Sequence, residues 1–248
     1  MLNGFASSFT QRPAKATDGP AEITPRGNGY GESFSQPASS DGLDVFLNEG
    51  SYYSGVMSGY VPGTGFTAAA QATFSDSSAI VMLKSAAATS GVPVGVRLDT
   101  IKLICSNVGA GITAMRVVAV LDNISRWGSG PGGSTMTFSA NGNIGSQQGS
   151  ISQAVCGNLG SGSATGNKRI VGQCVLKAAA PVLNDEFVLR FSNAAQPSGS
   201  IAGSTAATIV RHMEPLIIAP GWVFILHAFF TGVTTGPQFE PIITTIER

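Results

Sequence analysis

The chain has 248 residues, enough for one large domain or two small domains with a well-packed core. Only 11% of these residues are charged, against about 25% in ordinary soluble domains, which predicts an exterior largely covered by contacts with other molecules. Fourteen basic and fourteen acidic side chains cancel, and this balance argues against nucleic acid as a principal partner.

The first 42 residues have the composition of an extended arm. They contain six Gly, four Pro and six Ser, without a helical or alternating apolar period. Such a segment cannot bury enough apolar surface to offset its own ordering entropy. It also lacks a basic region followed by an apolar core, so no secretory signal is expected. We therefore predict an arm over residues 1–42 that contacts neighbouring chains through isolated aromatic anchors, which are Phe5, Phe9, Tyr30 and Phe34.

Residues 43–248 are predicted to form a single β domain. Short runs rich in Val, Ile, Thr and Phe alternate with Gly and Pro, and several runs place apolar side chains at every second position. The expected strands are 43–47, 52–61, 79–85, 94–106, 113–121, 169–178, 186–192, 208–212, 222–231 and 239–246. Helical patterns are scarce, and only the stretches 65–73 and 150–159 could each form one short turn-like helix.

A region rich in Gly, Ser and Asn occupies residues 123–168. Loops of this length are uncommon in a compact domain unless they have a function. We interpret the region either as an insertion between sheets with a small-residue strand at 134–140, or as a lateral contact surface. Trp127, within it, is a candidate interface anchor or glycan platform.

About ten strands with few helices predict an all-β fold, either a sandwich or a barrel. The apolar run 222–230 is about half the length of a membrane span and follows a Pro-Gly turn, so a buried strand is expected there rather than a membrane anchor. Because this run is apolar on both faces, it should lie centrally and be covered on both sides. We therefore expect a two-sheet antiparallel jelly-roll-like sandwich, with a neighbouring subunit or the insertion covering the second face.

The arm 1–42 and the stretch 214–247 carry a resemblance to a known family. In that stretch a strand leads to an Ala-Pro-Gly turn, a long apolar strand, a Gly/Thr loop and a final strand that ends near Glu247. This organisation resembles the trimeric cement or decoration proteins of tailed-phage heads. The resemblance implies a homotrimer on the capsid exterior that binds the major capsid protein across shell seams. It also implies assembly in the host cytoplasm and localisation in the virion.

Few residues are suited to chemistry. The chain has two histidines, His212 and His227, and no GxSxG motif. Its three cysteines, Cys105, Cys156 and Cys174, show no CxxC spacing. We therefore expect no enzymatic activity, no cofactor and no metal.

Two alternatives remain open. One is a glycan- or receptor-binding module of a phage appendage, in which Trp127, Tyr52, Tyr53 and Tyr60 supply aromatic surfaces. The other is a cupin-like metal enzyme that uses His212, Glu214 and His227 as a two-histidine, one-carboxylate ligand set.

Overall fold

The computed structural model describes residues 51–58, 61–85, 95–123, 132–140, 149–159, 168–191 and 207–247. These residues form thirteen strands and one short 3-10 helix, which confirms the expected all-β class. The predicted arm 1–42, the predicted strand 43–47 and the remainder of the 123–168 region lie outside the described residues. Within the described part of the chain, no helix has the length and hydropathy needed to cross a membrane.

Nine of the predicted strands and the small-residue strand at 134–140 match strands of the structure to within a few residues. The strands are β1 Tyr52–Met57, β2 Phe66–Thr67, β3 Ala79–Ser85, β4 Val96–Asn107, β5 Ala114–Asp122, β6 Gly132–Ala140, β7 Ser152–Asn158, β8 Arg169–Lys177, β9 Glu186–Phe191, β10 Thr208–Met213, β11 Leu216–Ile218, β12 Val223–Thr231 and β13 Gln238–Glu247. The 3-10 helix Asp76–Ser78 precedes β3.

Both predicted helices were wrong. The stretch 65–73 contains β2 followed by irregular chain, and the stretch 150–159 contains β7. Strand β7 pairs with β3 on one side and β6 on the other, and it buries Ala154 and Cys156 while Gln153 is exposed. Pairing on both edges and burial outweigh the weak local preference of these small residues for a helix.

The strands form one nearly closed sheet. Their order is β10-β9-β4-β13-β1-β6-β7-β3-β12-β5-β8, with β11 added to β4 and β2 added to β13. Every pair is antiparallel except β9 and β10, which corrects the expectation of a purely antiparallel sheet. A parallel pair needs a crossover connection of about a dozen residues or more, and the segment 192–207 between β9 and β10 is long enough to provide one.

Strand β6 divides the sheet into two halves. Its residues 132–135 pair with β7, whereas its residues 136–140 pair with β1. The first half is β10-β9-β4-β13-β1 and the second half is β7-β3-β12-β5-β8. Aromatic contacts join the halves in the core: Phe191 meets Phe224 edge-on at 5.4 Å between ring centroids, and Phe230 stacks on Phe239 at 6.3 Å.

The two ends of the strand order, β8 and β10, meet through a buried arginine. Arg211 on β10 donates from Nε to the Val175 carbonyl at 3.0 Å and from Nη2 to the Leu176 carbonyl at 3.1 Å. Met213 on β10 faces Gly172 on β8, where a Cβ atom would lie 3.2 Å from the methionine sulfur. Side chains therefore bring the last edges of the sheet together.

Strand β12 is central in the second half and buried on both faces, as the apolar run 222–230 predicted. Phe224 and Leu226 face the core between the halves. Val223 and Ile225 belong to a separate apolar cluster on the outer face of the second half. Phe74 packs over part of this outer face, because its ring contacts His227 at 5.0 Å.

Candidate functional sites

Most of the aromatic residues predicted to contact partners lie outside the described residues. These are the arm anchors Phe5, Phe9, Tyr30 and Phe34, together with Tyr60 and Trp127. Their roles as partner contacts or as a glycan platform therefore stay predictions.

Adjacent residues Tyr52 and Tyr53 point to opposite faces of β1. Tyr52 is half-buried on the outer face and donates its hydroxyl hydrogen bond to Asp99 Oδ2 at 2.9 Å. Burial, the largest effect, raises the pKa of Tyr52 above its ordinary value. Tyr53 is only 3% exposed, so its ring has no open face on which a sugar could stack. Of this pair, only Tyr52 remains a candidate for ligand contact.

The structure does not bring the proposed metal ligands together. His212 lies on β10 in the first half, and His227 lies on β12 in the second half. Nδ1 of the buried His227 is 3.2 Å from the hydroxyl of Ser78, and Glu214 is exposed after β10. Among the described residues, no group of three or more His, Cys, Asp or Glu side chains is placed to hold a metal ion.

Sequence reasoning missed a fully buried ion pair. Lys177 Nζ lies 2.6 Å from Asp185 Oδ2, and neither side chain is accessible to solvent. The Asp185 carboxylate also accepts hydrogen bonds from the backbone N–H groups of Val182 at 2.7 Å and Ala207 at 3.0 Å. Asp185 reads as an ordinary turn residue in the sequence. The available signal was a lysine that ends an apolar strand, with an aspartate eight residues later across a turn.

A second buried carboxylate, Glu247, is surrounded by donors from the chain before β7. It accepts hydrogen bonds from the Ile151 N–H at 2.7 Å, the Ser152 N–H at 3.1 Å and the Ser152 hydroxyl at 2.6 Å, and also from the Ser150 hydroxyl. These bonds tie the end of β13 to the start of β7. The arrangement satisfies the carboxylate within the protein and gives it a structural role.

The three thiols are poorly suited to nucleophilic chemistry. Burial raises the pKa of both Cys105 and Cys174 to about 11, and it raises the pKa of the fully buried Cys156 even further. Because the thiolate is the reactive form, thiols with a raised pKa react slowly at neutral pH.

One end of the sheet is built from short turns, and we call it the turn end. It carries the connections β4–β5, β8–β9 and β12–β13, together with the chain that follows β2. Backbone hydrogen bonds link these segments: Ala110 pairs with Thr235, Asn184 N–H donates to the Cys105 carbonyl, and Ala68 N–H donates to the Pro237 carbonyl.

The described segments nearest to these turns carry no charged side chain, whereas Asp76 lies further along the chain that follows β2. We define the turn surface as residues 68–72, 107–113, 178–184 and 231–237, and none of these 26 residues is Asp, Glu, Lys or Arg. About six would be expected at the average frequency of charged residues. Val108 and Leu183 are 39% and 52% exposed within it. The surface therefore shares the low charge of protein contacts, but it has none of the aromatic or Met side chains in which such contacts are enriched.

Comparisons with protein-family models, with curated proteins and with solved structures found no match. The functional argument therefore depends on the arrangement of strands and surfaces. In the described part of the chain, the most distinctive features are buried, satisfied polar groups and an uncharged turn surface.

Proposed function

We propose that the chain is a structural virion protein, a capsid decoration or cement protein whose domain is a jelly roll. The low charge and the arm-like composition of residues 1–42 support the capsid role, and the order of the strands supports the jelly roll. The first half contains β1-β13-β4-β9 and the second half contains β3-β12-β5-β8.

These eight strands pair as a long hairpin that has been rolled up. In chain order these eight strands are β1, β3, β4, β5, β8, β9, β12 and β13. The first strand, β1, pairs with the eighth, β13, and the second strand, β3, pairs with the seventh, β12. Strand β4 pairs with β9, and β5 pairs with β8. The rolled hairpin also brings β13 beside β4 and β12 beside β5, and all six pairs are antiparallel. This pattern is typical of jelly rolls, and the other five strands, β2, β6, β7, β10 and β11, are additions to it.

Jelly rolls serve in viral capsids, lectins and cupins, so the fold alone does not choose a function. A cupin-like site would need His212, Glu214 and His227 gathered together, whereas the described residues contain no cluster of His, Cys, Asp or Glu placed to hold a metal ion. Burial removes Tyr53 from a stacking platform, so the glycan-binding alternative now depends on Tyr52, Tyr60 and Trp127. The low charge of the chain and the arm-like composition of residues 1–42 favour the capsid role.

The proposed mechanism is burial of surface across the seams between shell subunits. The arm 1–42 supplies extended backbone that adds to exposed sheet edges of a neighbouring subunit. Many copies on a fixed lattice then act together, so modest individual contacts give strong total binding. A homotrimer on the capsid exterior is the form that the family resemblance implies.

Immunogold electron microscopy of purified virus particles from the source of this sequence tests the proposal. An antibody against the folded domain should label the exterior of intact heads at regular positions. Particles that carry no label on their heads would contradict the capsid role. A chain that lacks residues 1–42 should remain folded and fail to bind particles, and full binding by this truncated chain would remove the arm from the mechanism.

A further inference from the structure

We infer that Lys177 and Asp185 are a site of covalent modification, where an amide bond forms between the two side chains without an enzyme. The ion pair described above is the state from which this bond forms. The inference goes beyond the proposed function and does not rest on it, because the purified chain contains every group that the reaction needs.

The first argument is the position of the two reacting groups. Lys177 Nζ lies 2.6 Å from Asp185 Oδ2, and neither side chain is accessible to solvent. Lys177 ends β8, which pairs with β5, and Asp185 immediately precedes β9, which pairs with β4 and β10. The sheet therefore holds the amine against the carboxyl group. Well-oriented groups in one molecule reach effective concentrations on the order of 10⁵ M or more.

The second argument is that the charged form of Lys177 is poorly satisfied. An ammonium group carries three N–H donors, but Asp185 is its only hydrogen-bond acceptor among the described residues. Unused donors away from solvent are unfavourable, and so is the burial of two ions. The amide product carries one N–H and no charge, so bond formation relieves both costs.

The third argument is that backbone donors surround the Asp185 carboxyl group. Ala207 N–H donates to Oδ1 at 3.0 Å, and Val182 N–H donates to Oδ2 at 2.7 Å. When a nucleophile adds to a carboxyl carbon, negative charge develops on oxygen, and fixed N–H groups stabilise that charge as they do in an oxyanion hole. Each oxygen already has such a donor, so the oxygen that remains in the amide keeps one.

The fourth argument is that the surroundings favour the neutral, reactive forms. Cys105 N–H donates to the Asp185 carbonyl at 2.8 Å, which places this thiol residue beside the pair. Burial and then the charge of Asp185 raise the pKa of Cys105 to about 11, while the charge of Lys177 lowers it. The thiol therefore keeps its proton at neutral pH and supplies no charge. Low-dielectric surroundings favour an uncharged amine and acid over two ions.

The reaction is a condensation that releases one water molecule. One proton moves from Nζ to Oδ2, and the neutral amine then adds to Cγ, so that a C–N bond forms. A second proton passes from the nitrogen to the leaving oxygen, the C–O bond breaks, and this oxygen departs as water. The three ammonium protons are thus divided between the amide N–H and the water, and no oxidant or reductant takes part.

Mass spectrometry of a tryptic digest of the purified full chain tests the inference. Trypsin cleaves after Lys and Arg, but it does not cleave after a lysine whose amine is part of an amide. The wild type should therefore release residues 170–190, from Arg169 to Arg190, as one fragment that is lighter than its sequence by one water molecule. Fragmentation of this peptide should locate the link between Lys177 and Asp185.

Two variants separate this bond from other losses of water. Lys177→Arg keeps Asp185 but removes the amine, so its peptides should have their full sequence mass. Lys168→Arg is the matched control, because Lys168 belongs to the more exposed pair with Asp76, and it should lose water at 170–190 as the wild type does. Circular dichroism establishes that the proteins are folded.

Two results would overturn the inference. One is a folded wild type that is cleaved after Lys177 and keeps its full sequence mass after prolonged incubation. The other is a loss of water from 170–190 that persists in Lys177→Arg, because that loss would belong to cyclisation of an aspartate onto its own backbone. The wild-type measurement does not depend on how well either variant folds.

Discussion

The two ends of the sheet differ in how they treat charge. At the turn end, short connections present uncharged side chains, and the flanking Lys177 and Asp185 are buried as a pair. At the opposite end, where β1, β4 and β12 begin, Arg97, Arg190 and Glu214 are exposed. We call this second end the charged end. Segments that fall outside the described residues, such as 86–94 and 141–148, connect to strands there.

This difference teaches that a low total charge can be distributed very unevenly. The charged end keeps ordinary solvated side chains, which oppose association with identical copies. The turn end removes charge from solvent at the cost of burying an ion pair, and such a pair contributes little net stability by itself. The Asp185 carboxylate also accepts hydrogen bonds from the Val182 and Ala207 N–H groups, so the pair holds the surrounding chain in place.

The largest expected effect comes from breaking the buried pair at the turn end. Asp185→Ala leaves Lys177 without its carboxylate and removes the acceptor for the Val182 and Ala207 N–H groups. We expect a loss of about 3–5 kcal/mol in the free energy of unfolding, measured by urea denaturation. The control is Asp76→Ala, which breaks the more exposed pair with Lys168 and should cost about 0–1 kcal/mol. Equal losses for the two variants would contradict this prediction.

The charged end offers a comparable test at Glu247. Glu247→Gln places an N–H₂ group among donors that include the backbone N–H groups of Ile151 and Ser152. We expect a loss of about 2–3 kcal/mol in the free energy of unfolding, measured in the same denaturation experiment. Glu214→Gln, an exposed change beyond β10, should stay within about 0.5 kcal/mol of the wild type. A neutral Glu247→Gln variant would show that these hydrogen bonds do not hold β7 and β13 together.

A glycine in the turn surface tests how tightly the turns are packed. A Cβ atom at Gly236 would lie well inside van der Waals contact of the Ala68 carbonyl oxygen. Gly236→Ala should therefore cost about 1–3 kcal/mol, because backbone must shift to make room. Gly149→Ala is the matched control, since a Cβ there meets none of the described residues within 4 Å and the backbone angle is ordinary. The melting temperature of each variant is the measurement, and a stable Gly236→Ala variant would indicate loose turns.

The smallest effect concerns the pH dependence near the turn end. Burial raises the pKa of Cys105 from 9.0 to about 11, so the folded state holds this proton more tightly than the unfolded state does. The stability contribution is fully present below about pH 9 and falls as the pH rises through 11. When the pH is raised from 8 to 10, the free energy of unfolding should fall for the wild type. For Cys105→Ala it should fall by about 1 kcal/mol less. Parallel stability–pH curves for the two proteins would refute this assignment.

The sequence predicted the β elements well and their partners less well. Alternation and turn residues located nine strands, because those signals are local. Strands β2 and β11, of two and three residues, are too short to show a period, and β7 depends on pairing with both of its neighbours. The site features were harder still. Lys177 and Asp185 are separated by a turn, and the uncharged segments become one surface only when the topology brings them together.

Strand β6 has a consequence for how the domain comes apart. Its first four residues bond to β7 in one half and its last five bond to β1 in the other, so the halves share a strand. Melting either half would strip backbone partners from the other, which favours a single cooperative transition over stepwise loss. We therefore expect the two halves of this domain to unfold together.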